Sequence, residues 1–385
     1  MRVLFVVSDA NARGGTEVVA FNLLYYLQGQ GVDCWLLSLN PYKGENATVL
    51  SFSDKNFKHW NALRRNPINR LLGNALSDTS LRKMVLRIAR DIDADWIINH
   101  TYDLCAAIPV GYGIDTAQVL HWSVRGYETE LMAKYSSFLK KVYGLPMLHI
   151  LFARWHKALT KFNRIIPLTV SASDELLELN SHINSERLFV IPNPVMYEKD
   201  SRLVSSLDNK NIIFVGRLSH EKGVMRVLRI WEKLEKQLPG YTLSIFGEGY
   251  AETEMRRYIE EHRLERVRMM GHCSDKEKIY RNADLLLVTS TTEGFGLVII
   301  EAMYYGVPCI SFDCPVSPRE IIADTGVLVP CFDEKLFARS VVDLVFDKEK
   351  LYSLQFKAIK RARTYYISEI VKLWLKMMSN SIRKK

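Results

Sequence analysis

The chain alternates between short apolar runs and longer amphipathic stretches, a pattern typical of strands separated by helices. In the first half the apolar runs predict strands at residues 3–7, 32–37, 96–99, 118–121, 164–168 and 188–191. In the second half they predict strands at 212–215, 242–246, 267–270, 285–288, 309–311 and 327–329. Such alternation favours parallel sheets that are covered by helices on both faces.

The intervening stretches predict helices from Gly15 to a stop at Gly31, at 223–237 and at 251–262. The last stretch places apolar residues three and four positions apart, which gives a helix one strongly apolar face. These residues are Ile367, Ile370, Val371, Trp374, Leu375 and Met378. Such a face must pack against another element, and the pattern itself allows either half of the chain as its partner.

A chain of 385 residues is too long for one hydrophobic core,. We predict an α/β protein of two Rossmann-like, doubly wound domains that face a central cleft. The expected boundaries are 1–195 for the first domain, 196–210 for a polar linker, 211–363 for the second domain and 364–385 for the last helix. Ligands of open parallel sheets bind beyond the carboxyl ends of the strands, so the chemistry is expected there.

Composition narrows the protein class. Hydrophobic residues make up 48% of the chain, and no apolar run reaches the roughly 18 residues that cross a bilayer,. The amino terminus lacks the apolar core of a signal peptide, so we expect a cytoplasmic protein. The six cysteines form no CxxC pair and several lie in predicted strands, which favours buried reduced thiols over disulfides or a zinc site,.

The net charge of +9 is concentrated in the first half. Residues 131–173 contain no acidic residue, and Asp78 is the only acid between residues 55 and 90. The basic residues of these segments are Lys134, Lys140, Lys141, Arg154, Lys157, Lys161 and Arg164, and Arg64, Arg65, Arg70, Arg82, Lys83, Arg87 and Arg90. Basic residues mixed with aromatic ones suit a helix at an anionic membrane surface. A solvated face is the alternative, and no nucleic-acid-binding module is present.

The segment "EGFGLVIIE" carries the most specific chemistry. Glu293 follows a predicted buried strand, and Gly294 and Gly296 permit a tight turn before a helix that begins near Leu297,. The amino end of that helix favours a phosphate. Glu301 lies one turn further on, and carboxylates accept hydrogen bonds from neighbouring hydroxyls. Two acids around a phosphate-binding turn fit a sugar nucleotide, which has a hydroxyl-rich sugar on each side of its diphosphate.

Another strand end supplies cations for a diphosphate. Gly216, Arg217, Lys222 and Gly223 lie in "VGRLSHEKG", immediately after the strand 212–215. Arginine binds phosphate oxygens in a bidentate manner, and lysine acts as a compact point charge. Two fixed positive charges at this position would stabilise the negative charge of a departing diphosphate.

These segments resemble the donor domain of retaining glycosyltransferases with the GT-B fold, in glycosyltransferase family four. The resemblance is carried by "VGRLSHEKG", "IFGEG", "VRMMGH", "EGFGLVIIEAMYYGVPCISFDCPVSPREII" and "TGVLVP". The segments "RGGTEVVAFNLLYYLQGQGVD" and "AQVLHWSVRGYE" are similar to the family's glycine-rich loop and to its strand that ends in a histidine. The similarity is strong over the last 180 or so residues and patchier before them.

The resemblance implies a role for each residue. Glu301 would bind the ribose, while Glu293 with Gly294, Phe295, Gly296 and Leu297 would face the transferred sugar. Arg217, Lys222 and Gly216 would bind the diphosphate, near Gly14 and Gly15, and His121 would contact the donor sugar or the acceptor. Ser317 stands where the family often has glycine, which leaves the roles of Arg319 and Glu320 open.

The resemblance also implies an overall activity. The first domain would bind the acceptor, the second would bind the donor, and the last helix would return to the first domain. We therefore expect metal-independent transfer of a hexose or N-acetylhexosamine, with retention, from a nucleotide sugar. UDP is the expected nucleotide, although the residues leave guanine and adenine open. The expected acceptor is a lipid-linked, polysaccharide or lipopolysaccharide glycan at the inner face of the membrane. A nucleotide-sugar epimerase, a phosphorylase and a non-catalytic nucleotide-sugar-binding protein are the alternatives.

Overall fold

The computed structural model describes residues 1–12, 14–51, 58, 60–62, 74–133, 138–195 and 204–380. The chain divides into two compact units. The first unit contains Met1–Asn193 and Ile367–Lys385, and the second contains Pro194–Tyr366. The last helix therefore belongs to the same unit as the amino-terminal half of the chain.

The first unit contains a parallel sheet with the strand order β3-β2-β1-β4-β5-β6. Its strands are β1 Arg2–Val7, β2 Asp33–Ser38, β3 Val49–Ser51, β4 Trp96–Asn99, β5 Asp115–Leu120 and β6 Arg164–Pro167. Every residue of β1 after Arg2 is buried, because β1 lies in the middle of the sheet and helices cover both of its faces,. Continuous apolar runs of this kind identified β1, β2, β4 and β6 in the sequence.

Helices connect the strands of the first unit. They are α1 Gly15–Gly29, α2 Ala75–Asp91, α3 Val124–Ala133, α4 Phe138–Leu159, α5 Val170–Leu179 and, from the end of the chain, α13 Ile367–Ser379. The apolar face of α13 is buried as the spacing predicted, except that Met377 is buried and Leu375 is only partly covered. Helix α1 ends two residues before the predicted stop at Gly31.

The second unit contains a parallel sheet with the order β12-β11-β10-β7-β8-β9. Its strands are β7 Asn211–Val215, β8 Thr242–Phe246, β9 Val267–Gly271, β10 Leu285–Val288, β11 Cys309–Phe312 and β12 Gly326–Val329. Its helices are α6 Val224–Glu235, α7 Glu252–Glu261, α8 Lys276–Arg281, α9 Leu297–Tyr304, α10 Pro318–Ile322, α11 Glu334–Phe346 and α12 Lys348–Ala362. Val227, Trp231 and Leu234 on one face of α6 are fully buried in the core of this unit.

The two sheets have the same topology. If the strands of the second unit are renumbered from one to six, both sheets read 3-2-1-4-5-6 across the sheet. The strand order reverses between β1 and β4 in the first unit and between β7 and β10 in the second. Ligands of doubly wound folds bind at the carboxyl ends of the strands on each side of that reversal. The topology therefore predicts ligand-binding residues in the loops after β7 and β10, and in those after β1, β4 and β5.

Two strand predictions need correction, and one strand was not predicted. The predicted strand at 188–191 is wrong, because Leu188 makes a single isolated bridge to Ile165. The short strand β3 escaped prediction because its three residues carry no repeated pattern. Strand β5 begins at Asp115 instead of residue 118, because its polar residues Asp115, Thr116 and Gln118 are buried in the sheet.

The structure describes part of the predicted linker and all six cysteines. Residues 196–203 of the linker lie outside the described residues, and the rest belongs to the second unit, where Leu207 is fully buried. All six cysteines are free thiols, of which Cys273 is partly exposed and Cys331 exposed. In the part of the chain that the structure describes, no helix is long and apolar enough to cross a membrane.

Three basic residues of these segments have internal partners, among them Arg82, which donates to the carbonyl oxygen of Ala106. Arg154 pairs with Asp78 at 2.8 Å, and the buried Arg164 donates to the carbonyl oxygen of Asn380 at 2.8 Å. Lys157 and Lys161 are exposed. Arg64, Arg65, Arg70 and Lys134 lie outside the described residues, as do the side chains of Lys140 and Lys141. Among the described residues, Arg82, Arg154 and Arg164 are therefore directed to partners within the first unit.

Candidate active site

The loops after β7 and β10 approach each other closely in the second unit. Residues 216–223 follow β7, and their last turn is a 3₁₀-helix at His220–Lys222. Gly223 has a φ of +71°, and a Cβ atom there would lie 1.9 Å from the carbonyl oxygen of Thr289. Only glycine fits this approach. The close contact fixes Lys222 beside the loop that carries Glu293.

Glu293 forms the most buried ion pair of this region. Lys222 Nζ lies 2.7 Å and 2.8 Å from the two carboxylate oxygens of Glu293, and Ser290 Oγ donates to Oε1 at 2.6 Å. The side chain of Glu293 is 6% exposed and that of Lys222 is 24% exposed. A lysine ammonium has three donors, so Lys222 can hold Glu293 with two and offer the third to an anionic ligand.

Glu301 is held through one of its two oxygens. Lys276 Nζ and Tyr280 OH, both from α8, lie 2.9 Å and 2.8 Å from Glu301 Oε2. Burial, followed by the charge of Glu301, raises the pKa of Tyr280 well above its usual value, so Tyr280 remains a hydrogen-bond donor. Within the described residues Oε1 accepts no hydrogen bond. Glu301 thus has a fixed orientation and one acceptor oxygen available for a ligand hydroxyl.

Arg217 lies in a more exposed setting. Its guanidinium donates to Glu221 Oε1 at 2.7 Å, and its side chain is 54% exposed. Tyr250 OH donates to the other oxygen of Glu221 at 3.2 Å and accepts from the backbone N–H of His220 at 3.0 Å. Arginine has five N–H donors, so most of the guanidinium of Arg217 can still contact a phosphate.

The loop 294–297 is shaped by its backbone. Gly296 has a φ of +80° and precedes α9, which begins at Leu297 as predicted. Gly294 lies within the turn, but of these two glycines only Gly296 takes a left-handed conformation. The ring of Phe295 is buried 5.9 Å from that of Tyr365, so its side chain anchors the loop in the second unit.

Ser317 supports the same loop. It is fully buried, and its hydroxyl donates to the carbonyl oxygen of Glu293 at 3.0 Å. A glycine at this position could not make that bond. Arg319 pairs with Asp313 on the surface, and its side chain is 74% exposed. The structure therefore assigns Ser317 a supporting contact and gives Arg319 a partner away from Glu293.

Two buried thiols lie near Glu293. Burial, and after it the charge of Glu293, raises the pKa of both Cys309 and Cys314 far above the usual range. Both remain protonated thiols near neutral pH and are poor nucleophiles.

The first unit places different side chains at the ends of its strands. Gly14 immediately precedes α1, which begins at Gly15, so these two glycines stand at the amino end of a helix. Burial raises the pKa of Glu17 in the first turn of that helix. His121 follows β5 directly, and its Nε2 lies 2.9 Å from Nδ1 of His100, which follows β4. Burial lowers the pKa of His121 to about 3, so its ring is neutral at physiological pH.

The structure thus brings Lys222 and Glu293 into contact and places Glu301 further along the same segment. Sequence reasoning missed Lys276 and Tyr280, which hold Glu301, and Ser290, which holds Glu293. No local motif marks Lys276 or Tyr280, since they lie 25 and 21 residues before Glu301. Ser290 had a usable signal, because it lies three residues before Glu293 at the end of the same strand.

The acidic motif "DIDADW" lies at the other edge of the first sheet. Asp93 pairs with Arg2 at 2.6 Å, and Asp95 accepts from the backbone N–H of Arg2 at 2.9 Å, where β1 begins. These carboxylates fix the amino end of a strand, opposite the edge where ligands bind. Among the described residues, no group of three or more His, Cys, Asp or Glu side chains is placed to hold a metal ion.

Two family models match the chain. The model of glycosyl transferases group 1 matches residues 197–363, and the model of Glycosyltransferase Family 4 matches residues 13–199. Together they cover residues 13–363; the first contains all six strands of the second sheet, and the second contains every strand of the first sheet except β1.

Three curated relatives illustrate the similarity. The amylovoran biosynthesis glycosyltransferase AmsD of Erwinia amylovora is 29% identical over 202 residues, which are 51% of this chain and 57% of that protein. An uncharacterized glycosyltransferase of Haemophilus influenzae is 23% identical over 382 residues, which are 97% and 98% of the two chains. An α-1,4-N-acetyl-D-galactosaminyltransferase of Campylobacter jejuni, named for an undecaprenol-diphosphate-linked substrate, is 28% identical over 50% of this chain and 55% of its own length. The AmsD and C. jejuni matches thus cover little more than half of those relatives.

Two solved structures share the fold over the whole chain. A Staphylococcus aureus TarM variant in complex with fondaparinux, α-GlcNAc-glycerol and UDP has a TM-score of 0.75 at 14% identity, covering 99% of this chain and 100% of TarM. HepE of Anabaena in complex with UDP has a TM-score of 0.73 at 17% identity, with coverage of 99% and 100%. The two parallel six-stranded sheets therefore form a GT-B fold.

Proposed function

The chain belongs to the family 4, or group 1, glycosyltransferases, and we propose that it transfers a sugar with retention from a nucleoside-diphosphate sugar to a glycan. The observation that carries this proposal is the arrangement of acidic and basic side chains after β7 and β10. Lys222 binds the buried Glu293, and Glu301 is fixed through one oxygen by Lys276 and Tyr280.

The donor would bind to these groups in a defined order. A vicinal diol of the ribose donates to Glu301, whose Oε1 is available and whose other oxygen is held in place. The diphosphate accepts from Arg217, from the third N–H of Lys222 and from the backbone N–H groups at the start of α9. Glu293 and the backbone of residues 294–297 face the sugar.

The proposed reaction has no covalent enzyme intermediate. An acceptor hydroxyl attacks C1 of the sugar on the face that the diphosphate leaves, so the C1–O bond to phosphate breaks as the new glycosidic bond forms. The hydroxyl proton passes to the departing phosphate oxygen. The contribution of the protein is positioning and charge stabilisation, because Lys222 and Arg217 oppose the negative charge that develops on the diphosphate. We propose that these two cations make a metal ion unnecessary.

Similar proteins support the choice of substrates. The S. aureus TarM variant and HepE were both solved with UDP, so we propose a UDP-hexose or UDP-N-acetylhexosamine as the donor. AmsD is named for biosynthesis of amylovoran, and the C. jejuni enzyme for a lipid-linked glycan. We accordingly propose a lipid-linked or polysaccharide-type acceptor.

We further propose that the enzyme works in the cytoplasm, at the inner face of the membrane. The support is the basic and aromatic composition of the segment that contains α4, in which Lys157 and Lys161 are exposed and Ile150 is 46% exposed. Co-sedimentation with vesicles of neutral lipid, with and without phosphatidylglycerol, tests this contact. Binding that requires the anionic lipid and weakens with salt supports it, and equal recovery with both vesicle types contradicts it.

Calorimetry of nucleotide binding tests the donor site. UDP, GDP and ADP are titrated in the presence of a chelator into the wild type, Glu301→Ala and Glu260→Ala, the last being an exposed glutamate of α7 that serves as control. We expect UDP to bind the wild type and the control equally, and Glu301→Ala to lose about tenfold or more in affinity.

The products then test the reaction. Anomeric proton spectra of the product of transfer from an α-linked UDP-sugar should show an α linkage, which is retention. A β linkage, or a strict requirement for added divalent metal, would contradict that part of the proposal. Unaltered UDP binding by Glu301→Ala would remove the assignment of the ribose to Glu301.

A further inference from the structure

The histidine pair of the first unit is built from two neighbouring strands. His100 follows β4 and His121 follows β5, and Nδ1 of His100 lies 2.9 Å from Nε2 of His121. Their rings are nearly parallel, with centroids 5.1 Å apart and planes 25° apart. His100 is 2% exposed and His121 is 9% exposed, so the part of the pair that a ligand can reach belongs to His121.

The surroundings of His100 fix its ring. Phe5 of β1 packs against it with centroids 5.5 Å apart, and Trp374 of α13 lies over it at 6.4 Å with planes 20° apart. Its Nε2 is buried and has no hydrogen-bond partner within the described residues. An aromatic residue would pack here equally well, so packing alone does not explain a histidine. The hydrogen bond to His121 does explain it.

We infer that His100 is a positioning residue that occupies Nε2 of His121, so that His121 meets the substrate through its Nδ1 edge. This inference rests on the proposed function, in which His121 contacts the donor sugar or the acceptor. A freely rotating imidazole can offer either nitrogen to a ligand, whereas a ring whose Nε2 is already bonded can offer only one.

The direction of the hydrogen bond sets what that edge can do. One ring must donate and the other accept, and both rings are neutral because burial lowers the pKa of each. If His121 donated, Nε2 of His100 would carry a buried proton without an acceptor. Buried donors without acceptors are rarer than unsatisfied acceptors. His100 therefore donates from Nδ1, and His121 carries its proton on Nδ1, as a donor to a substrate oxygen and not as a base.

NMR of the unliganded wild type tests the pair directly. Nitrogen and carbon shifts of the imidazole rings distinguish the two neutral tautomers, and we expect His121 to be protonated at Nδ1 across pH 5.5–8. The spectrum requires no substrate, so it remains decisive even if no sugar is transferred. A Nε2-protonated His121, or one that titrates near its usual pKa, would overturn the inference.

Two variants separate positioning from packing. His100→Asn keeps an N–H near the position of Nδ1, whereas His100→Phe keeps the aromatic packing and loses the donor. We expect His100→Phe to abolish the Nδ1–H signature of His121 and to lower kcat/KM for transfer about tenfold, with UDP affinity unchanged.

His100→Asn should retain the signature and most of the activity, as should the control His182→Gln at an exposed histidine. If His100→Phe lowers UDP affinity as well, the effect is structural and the inference fails. If His100→Phe folds poorly, the ability of His100→Asn to preserve the tautomer of His121 still decides the question.

Discussion

The two units share a strand order but differ in the charge of the side chains beyond the carboxyl ends of their strands. In the second unit, Glu293 after β10 and Glu301 in α9 are each paired with a lysine, at 2.7 Å and 2.9 Å. At the strand ends of the first unit, two neutral histidines bind each other at 2.9 Å. One scaffold therefore carries a charged site and an uncharged, hydrogen-bonding site.

The difference predicts that the two units respond to different substitutions. A diphosphate carries its charge at every physiological pH, and fixed cations stabilise it best when they are partly buried and already oriented. A sugar is neutral and is recognised by oriented donors and acceptors. The second unit should consequently respond most to the removal of charge, and the first to a change of hydrogen-bond direction or of pH.

Removal of Lys222 should have the largest effect. In Lys222→Met the diphosphate loses its most buried cation, and we expect kcat to fall roughly 100- to 1000-fold, about 3–4 kcal/mol. The variant should also be less stable, because Glu293 is left as a buried carboxylate without its cation. Single-turnover transfer and thermal unfolding measure the two effects separately.

The double variant Lys222→Met/Glu293→Gln is the matched control. It removes both charges, so we expect it to recover most of the lost stability while remaining inactive. Recovery of activity together with stability would show that the pair only supports the fold. Lys222 and Glu293 would then have no catalytic role, and the second unit would have no charged site of the kind contrasted with the histidine pair.

The charged site was accessible to sequence reasoning because its main residues are close along the chain. Glu293 and Glu301 lie within nine residues, and Arg217 and Lys222 within six, in segments that follow strongly apolar strands. The strands β8 and β10 were predicted with the bounds that the structure shows, because each is a short run of mostly buried residues with clear ends.

The remaining features depend on contacts that no local pattern contains. Lys276 reaches Glu301 from a separate helix, and His100 reaches His121 across two strands, 21 residues away. Polar residues in the core of β5 obscured its start, because Asp115, Thr116 and Gln118 are buried among hydrogen-bond partners that the sequence does not reveal. Sequence patterns therefore located the strand ends, whereas the partners of the side chains there required the fold.

Removal of Lys276 should have the next largest effect. In Lys276→Met the carboxylate of Glu301 keeps Tyr280 but loses its charged partner, so its orientation is less well fixed. We expect about tenfold weaker UDP binding, because a hydrogen bond to a charged group contributes about 1.5–3 kcal/mol and part of that orientation is retained. Calorimetry at 0.15 M salt measures the change.

Lys335→Met, at an exposed lysine of α11, serves as the control and should bind UDP like the wild type. A Lys276→Met variant with wild-type affinity would show that Tyr280 alone orients Glu301. If Lys276→Met instead binds UDP more tightly than the wild type, Lys276 competes with the ribose for the carboxylate of Glu301 and does not orient it for binding.

The neutral pair of His100 and His121 should make the stability of the first unit depend on pH. His121 has a folded-state pKa of about 3, below its unfolded value near 6.5, so the unfolded state binds more protons between these limits,. Stability is therefore complete above pH 6.5 and is lost as the pH falls, by up to about 1.4 kcal/mol per pH unit for each such histidine. Hydrogen exchange of β4 and β5 amides between pH 7 and pH 5 follows this loss in the first unit.

His121→Gln removes one of the two titrating rings, so protection of β4 and β5 should fall less steeply with acid than in the wild type. The comparison uses the slope with pH and not the absolute stability, because the substitution itself changes packing. Equal slopes would mean that His121 binds protons equally in the folded and unfolded states, and the contrast between a charged and an uncharged unit would not hold.

The smallest effect is expected at the exposed pair of Arg217 and Glu221. Glu221→Gln should change stability by no more than about 1 kcal/mol, because exposed ion pairs contribute little. It also removes a negative charge that competes with the diphosphate for Arg217. UDP should therefore bind about two- to threefold more tightly at low salt, and the gain should disappear near 1 M salt, where charges are screened within about 3 Å.

This small effect distinguishes the role of the exposed pair Arg217–Glu221 from that of the buried pair Lys222–Glu293 within the second unit. Glu260→Gln removes an equal charge from the exposed surface of α7 and should leave UDP affinity unchanged at every salt concentration. If Glu221→Gln instead weakens UDP binding, Glu221 acts by orienting Arg217, as Lys276 is proposed to orient Glu301. The exposed and buried pairs would then work by one principle, in which each carboxylate and its cation fix each other before the diphosphate arrives.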